Sequence, residues 1–403
     1  MTNEAAKRGA FALLLLANFF NSFSTNMYQA NYAQSLARNG FGVGAVSVVV
    51  ATFPLAVLLM SFVAGRLTRR FDLKALLLVA LALLLVIPLL YAFVPADPAA
   101  LFAIRLVHGA ASGLTMVLFM AVLAQIVPTQ KLASRMGIFG IGGVLGQAMS
   151  PFAGIAAADA LGYQAMFLLA LIPMSLALAF TLVGVPSLPA RPSLEEAAPS
   201  RWDVHRWFER RALFAASSTF LLTCATSTVM WYLVSLADEK DIAGVSAYFL
   251  VQAGAVIAAR LLSNRRLDRW NLKVVLVASD ALMLAGMVLL FAAGNLATVL
   301  LAGVLLGAGS GTVQPSLQAE AVRHAPPERR GIASSTFMTG ASSAFTVGSY
   351  VAGMVAGAVG FSTMFLLMGI PILLAAGLAL ARRPAKDAAP PPVSVPDTAA
   401  EAP

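Results

Sequence analysis

Apolar stretches of about twenty residues recur along the whole chain, and no other feature limits its fold so tightly. A bilayer core about 30 Å thick is crossed by roughly 20 residues of helix, which satisfies its backbone hydrogen bonds internally where water is absent. Twelve such stretches are read, over residues 9–33, 44–65, 74–94, 99–126, 135–158, 163–185, 212–236, 244–264, 273–293, 296–320, 331–356 and 361–381. They predict an all-α membrane protein with twelve transmembrane helices. Of the 403 residues 59% are hydrophobic and 11% charged. Soluble domains carry about 25% charged residues, so a water-soluble enzyme is excluded, and so is a disordered chain. The first stretch is long, rich in Asn and without a small-residue cleavage pattern. It is therefore read as the first membrane helix and not as a cleaved leader. With one cysteine, Cys224, and three histidines, His108, His205 and His324, neither an internal disulfide nor a zinc cluster is expected. No metal or other cofactor is expected.

The net charge of +9 would suit nucleic acid if the basic residues shared a surface, so their positions decide what it means. With both termini cytoplasmic, 23 of the 27 Lys and Arg residues fall in inside segments. Arg38 and Lys240 lie outside, and Arg105 and Arg260 lie within spans. The largest outside loop is acidic, reading Asp238-Glu239-Lys240-Asp241. This is the positive-inside asymmetry of a multi-pass protein, expected in a bacterial inner membrane with both termini cytoplasmic. A nucleic-acid partner is not expected.

The longest polar stretch, Pro186 to Arg211, separates six spans from six. The expected organisation is a bundle over 1–185, a cytoplasmic linker over 186–211, a second bundle over 212–381 and a disordered tail over 382–403. Trp202 and Trp207, flanked by arginines, suggest a short amphipathic helix at the membrane surface within the linker. The halves repeat. Gly65-Arg66-Leu67-Thr68-Arg69-Arg70-Phe71-Asp72-Leu73-Lys74 after span 2 matches Asn264-Arg265-Arg266-Leu267-Asp268-Arg269-Trp270-Asn271-Leu272-Lys273 after span 8. Gly109-Ala110-Ala111-Ser112-Gly113 matches Gly307-Ala308-Gly309-Ser310-Gly311. A parallel repeat of six-helix halves marks one class of secondary transporter.

On these features, over about residues 9–381, the chain resembles the major facilitator superfamily. The loop after span 2 is similar to the family's G-x3-[DE]-R-x-G-x-[RK] signature through Gly65, Arg70 and Lys74, with Arg69 and Asp72 departing from it. The second copy retains the acidic residue as Asp268, followed by Arg269. The resemblance implies a gating role for Gly65, Arg70, Lys74, Asp268 and Arg269, which would latch the cytoplasmic side. Arg105-Leu106-Val107-His108-Gly109 resembles a second family motif on span 4. Gly137, Gly146, Ser150-Pro151 and Gly154 resemble the span 5 pattern of antiporters, which points to the drug/metabolite:proton antiporter branch. Gly146, Pro151, Gly154 and Pro315, with Pro54, are candidate points of conformational change.

An ionisable group within hydrocarbon calls for a partner or a function. The five are Arg105, His108, Arg260, Asp280 and Glu320. Arg105 and His108 share a face of span 4 with Ser112, Met116 and Phe119. Arg105 is expected to bind an anionic substrate group or, as the resemblance implies, to tune a proton carrier. His108 is expected to be able to titrate near neutral pH. Glu320 is expected to pair with Arg269 or Arg330, and Arg260 with Asp280. Spans 1 to 6 hold no carboxylate, so His108, Asp280 and Glu320 are the candidates for proton coupling. On span 1, Asn18, Asn21, Ser22, Thr25, Tyr28, Gln29 and Tyr32 fall within an arc of roughly 120°. That stripe faces either a cavity or neighbouring helices, because amides against lipid would be unsatisfied. Candidate substrate-binding residues are therefore Asn18, Asn21, Thr25, Tyr28, Gln29, Arg105, His108, Gln147, Trp231 and Gln314.

Neither a Walker motif nor a Ser-His-Asp arrangement is found, and no catalytic residue is assigned. The expected function is secondary-active transport by alternating access, as proton-coupled export of a small amphipathic or zwitterionic compound. One alternative is import of a polar or anionic metabolite, and another is a non-transporting scaffold or lipid-translocating protein. The expected partners are a small-molecule substrate, protons and membrane lipid, and the protein is expected to be a monomer.

Overall fold

The computed structural model describes residues 2–95, 97–128, 132–188, 208–263, 271–323, 325–326 and 329–382. The helix expected around Trp202 and Trp207, the loop holding Asp268 and Arg269, and the tail beyond Arg382 lie outside these residues. All regular structure among the described residues is helical.

The first bundle contains α1 (Thr2–Met27, continuing as Gln29–Arg38), α2 (Val43–Arg70), α3 (Leu73–Phe93) and α4 (Pro98–Ile126). It is completed by α5 (Leu132–Leu161) and α6 (Tyr163–Leu169, continuing as Leu171–Gly184). The second contains α7 (Leu213–Glu239), α8 (Ala247–Ser263), α9 (Leu272–Phe291) and α10 (Leu296–Arg323). One helical run then covers Arg330–Leu367, 38 residues. A straight helix of that length would extend about 57 Å, nearly twice the hydrocarbon thickness. The run reverses at Gly360, with φ 83°, in the left-handed region that a Cβ would oppose. It therefore supplies two spans, α11 (330–359) and α12 (361–367, continuing as Gly369–Ala381).

The repeat is carried by backbone geometry as well as by sequence. Gly162 between α5 and α6 has φ 85°, 198 residues before Gly360 with φ 83°. Asp97 caps α4 by accepting the Ala100 N–H at 2.9 Å, and Asn295 caps α10 by accepting that of Thr298 at 3.0 Å. A Cβ on Gly109 would lie 2.3 Å from the Phe53 carbonyl of α2, and one on Gly307 would lie 2.5 Å from the Gln252 carbonyl of α8. Small residues let these helices approach closely, which is how association is driven where lipid removes the hydrophobic effect between helices. Accordingly α2 packs on α4 and α1 on α5 and α6, while α8 packs on α10 and α7 on α11 and α12.

The bundles meet where α2 packs on α11, the second segment of α1 on α7, and α5 on α8. One apolar core fills the second bundle and takes in only the half of the first bundle remote from the termini, through residues such as Tyr32, Val50, Tyr91 and Ile104. The terminal half of the first bundle has a separate core around Leu14, Leu77, Leu118 and Met174. The shared core thus seals the face remote from the termini, and the halves nearer the termini are packed independently. Arg38 adds a 3.5 Å ion pair to Asp238 across the sealed face. A cleft of about 280 Å³ lies beside it, lined by Gln34, Val46, Tyr232 and Phe361 among others.

Candidate functional site

Arg105 and His108 lie one turn apart on α4, and both are 0% exposed. Arg105 is seven residues into the helix, about 10 Å from its outer end, directly beneath the sealed face. Ser112 and Met116 continue its side of α4 toward the termini. Ser112 is half-buried and Met116 54% exposed, so exposure rises along this side of α4 toward the terminal face.

The helix break in α1 falls at Tyr28, which has φ −105° and ψ −2°. There the Tyr28 hydroxyl lies 3.2 Å from His108 Nε2, and the Tyr91 hydroxyl of α3 lies 3.3 Å from Nδ1. In a neutral imidazole one ring nitrogen donates and the other accepts, so the two hydroxyls take opposite roles. The ring of Phe53 packs at 4.5 Å from that of His108.

Arg105 Nη1 donates to Gln29 Oε1 at 2.9 Å. Its guanidinium carbon lies 3.7 Å from the centre of the Tyr32 ring, 5.3 Å from that of Phe53 and 5.5 Å from that of Trp231. Tyr32 and Phe53 belong to the first bundle and Trp231 to the second, so both bundles wall the charge. Nε and Nη2 make no hydrogen bond among the described residues. These two groups share one edge of the planar guanidinium, the edge that meets both oxygens of a carboxylate or phosphate. A buried cation with that edge open is costly unless an anion completes it.

The predicted residues divide by position. Tyr28, Gln29, Arg105, His108 and Trp231 come together. Asn18 donates to the Phe139 carbonyl of α5 at 3.2 Å and acts in helix packing. Asn21 and Thr25, higher on the stripe, each keep a buried oxygen without a partner. Gln314 makes two 3.4 Å contacts, with Thr219 and Thr223 of α7, and Gln147 is exposed on α5. Neither touches the Arg105 cluster. Pro151 and Pro315 lie within uninterrupted helices. Gly146 and Gly154 instead define the α1–α5 seam, where a Cβ on Gly154 would lie 1.6 Å from the Met27 carbonyl. Gly65 faces open space, and Arg70 is exposed and Lys74 half-exposed.

One expected ion pair is corrected, and another residue has a partner that was not expected. Glu320 pairs with Arg382, just past the end of α12, a partner the sequence did not suggest; Arg269 and the Arg330 side chain lie outside the described residues. Asp280 does not pair with Arg260. Its helix, α9, packs on α10 and α12, whereas α8 lies on another side of α10. Asp280 is buried with Oδ1 unpartnered, and Arg260 is exposed.

The cluster also holds residues that sequence reading left out of the site. After Lys74, Tyr91 is the one polar side chain of α3, a usable signal. Phe53 carries none.

Two pseudo-equivalent six-helix bundles with a buried polar site at their seam define a multi-pass membrane transporter. The sequence profile of the Major Facilitator Superfamily matches residues 14–271 and 216–401, and the chain belongs to that family. Among solved structures, a mutant of the nucleoside transporter NupG is similar with TM-score 0.78 and 15% identity, over 92% of this chain and 99% of that one. A bacterial homologue of the human lysosomal transporter Spinster, inward-facing and unoccupied, gives 0.77 and 11%, over 93% and 96%. A POT family transporter bound to a thioalcohol-conjugated peptide gives 0.76 and 14%, over 92% and 94%. No curated protein matches the chain significantly.

Proposed function

We propose that this protein is a secondary-active transporter that works by alternating access and exports a small amphipathic or zwitterionic compound in exchange for protons. The observation that carries the substrate reading is the open Nε/Nη2 edge of buried Arg105, which takes the substrate's anionic group. The aromatic rings around the guanidinium suit the apolar part. The terminal face is cytoplasmic by the distribution of basic residues, and exposure along α4 rises toward it, so the substrate reaches the site from inside. Export is supported by the glycines of α5, whose antiporter-like spacing coincides with the tight α1–α5 seam. Of the three titratable candidates, Asp280 is buried without a partner for Oδ1, whereas Glu320 is ion-paired and His108 is held between two hydroxyls.

Proteoliposomes with an imposed pH gradient test this reading. Substrate should evoke proton flux, and the triple variant His108→Ala, Asp280→Asn, Glu320→Gln should lose it. Unchanged flux in that variant would sink proton antiport through these residues. Wild-type transport by Arg105→Ala would remove the anion site.

A further inference from the structure

The donor set around Arg105 identifies the anion more closely. Resting on the reading of Arg105 as an anion site, we infer that the substrate presents a single carboxylate gripped by both bundles at once, with the Trp231 indole N–H as the second bundle's donor. Among the described residues, five buried side-chain groups of this cluster lack partners: Arg105 Nε, Arg105 Nη2, Gln29 Nε2, Trp231 Nε1 and the Tyr32 hydroxyl. Four are N–H donors and the fifth is a hydroxyl that can also donate, so the missing ligand is an acceptor. An ionised carboxylate has two oxygens with about four lone-pair sites and no donor, which matches the four N–H donors in number and in sign.

Charge narrows the choice. Arg105 is the fully buried cation here, and the other intramembrane arginine, Arg260, is exposed on α8. A monoanion neutralises the site, whereas a phosphate dianion or a dicarboxylate would bury an uncompensated negative charge. The Trp231 ring stands 5.5 Å from the guanidinium carbon and 6.3 Å from the Phe53 ring. Arg105 and Gln29 move with the first bundle and Trp231 with the second, so the carboxylate oxygens become the bond between them. The ligand thereby favours conformations that keep α4 and α7 together, through the differential contact that any shift of a conformational equilibrium requires.

The chain has four tryptophans, Trp202, Trp207, Trp231 and Trp270. Replacing the other three by Phe leaves Trp231 as the sole emitter in the full-length protein. In detergent, phenylbutyrate should shift its emission saturably, with phenylbutylphosphonate at least about tenfold weaker and phenylbutylamine without effect. Trp231→Phe keeps a ring and deletes the N–H. Followed by thermal shift, it should bind phenylbutyrate roughly tenfold more weakly, the scale of one hydrogen bond to a charged group. Undiminished binding in Trp231→Phe, with binding lost in Arg105→Gln, would overturn the role of Trp231 and leave the anion site standing. Undiminished binding in Arg105→Gln would overturn the anion site itself. Phosphonate binding as tight as carboxylate, or no saturable phenylbutyrate binding to the parent protein, would overturn the carboxylate assignment.

Discussion

Gln29 Oε1 accepts the Arg105 Nη1–H at 2.9 Å across the seam between α1 and α4, and this bond selects the guanidinium edge left for a ligand. Removing it and over-satisfying it should move stability in opposite directions. Gln29→Leu is expected to lower both thermal stability and affinity for a carboxylate probe, the latter about tenfold or more, since a hydrogen bond to a charged group contributes about 1.5–3 kcal/mol. Gln29→Glu supplies an internal anion. It is expected to raise the unfolding temperature of the ligand-free protein and to abolish probe binding. A fall in both quantities for Gln29→Glu would contradict the assigned role.

Glu320 and Arg382 tie the ends of α10 and α12 together, with Glu320 buried and Arg382 partly exposed. Glu320→Gln is expected to cost about 1–3 kcal/mol in stability, because Arg382 loses its counter-charge. Substrate-evoked proton flux should persist in that variant and disappear in Asp280→Asn. Parallel flux assays on the two single variants distinguish them.

Glu209, at the start of the second bundle, accepts the Arg211 backbone N–H at 3.2 Å and the Arg329 guanidinium at 2.5 Å. The Arg211 N–H first, and Arg329 with it, hold the carboxyl below its ordinary value of 4.5 against the opposing effect of burial. A depressed folded-state value contributes stability that is complete above the unfolded value and is lost as pH falls through the folded one. The difference in unfolding temperature between wild type and Glu209→Gln should therefore be constant from pH 7 to about 5 and shrink at lower pH. A gap that widens on acidification would contradict this.

Glycines with similar motif status should respond differently. Gly154→Ala places a Cβ 1.6 Å from the Met27 carbonyl and forces α1 and α5 apart, whereas the same change at Gly65 meets nothing within 4 Å. Overpacking costs about 1–3 kcal/mol, so the unfolding temperature of Gly154→Ala should fall by several degrees. Gly65→Ala should leave it unchanged. Equal responses would mean that the seam is looser than this geometry.

Much of the architecture was legible in the chain because a bilayer makes local composition report position. Each apolar stretch had to be a helix, and the placement of basic residues set the expected orientation. The repeat announced two matching bundles. The polar stripe on span 1 and the lone pair Arg105 and His108 pointed to a shared site, since amides and charges have nowhere else to go within hydrocarbon. Which partners they found was a different matter. Asn18 and Gln29 lie on one stripe, yet one packs α1 on α5 and the other orients Arg105. The carboxylate of Glu320 met Arg382, 62 residues further along the chain. Phe53, Tyr91 and Trp231 reach His108 and Arg105 from α2, α3 and α7. A span's hydropathy depends on its own residues alone, whereas side-chain pairing depends on which helices become neighbours and how each is rotated. Those relations arise only when the two bundles pack.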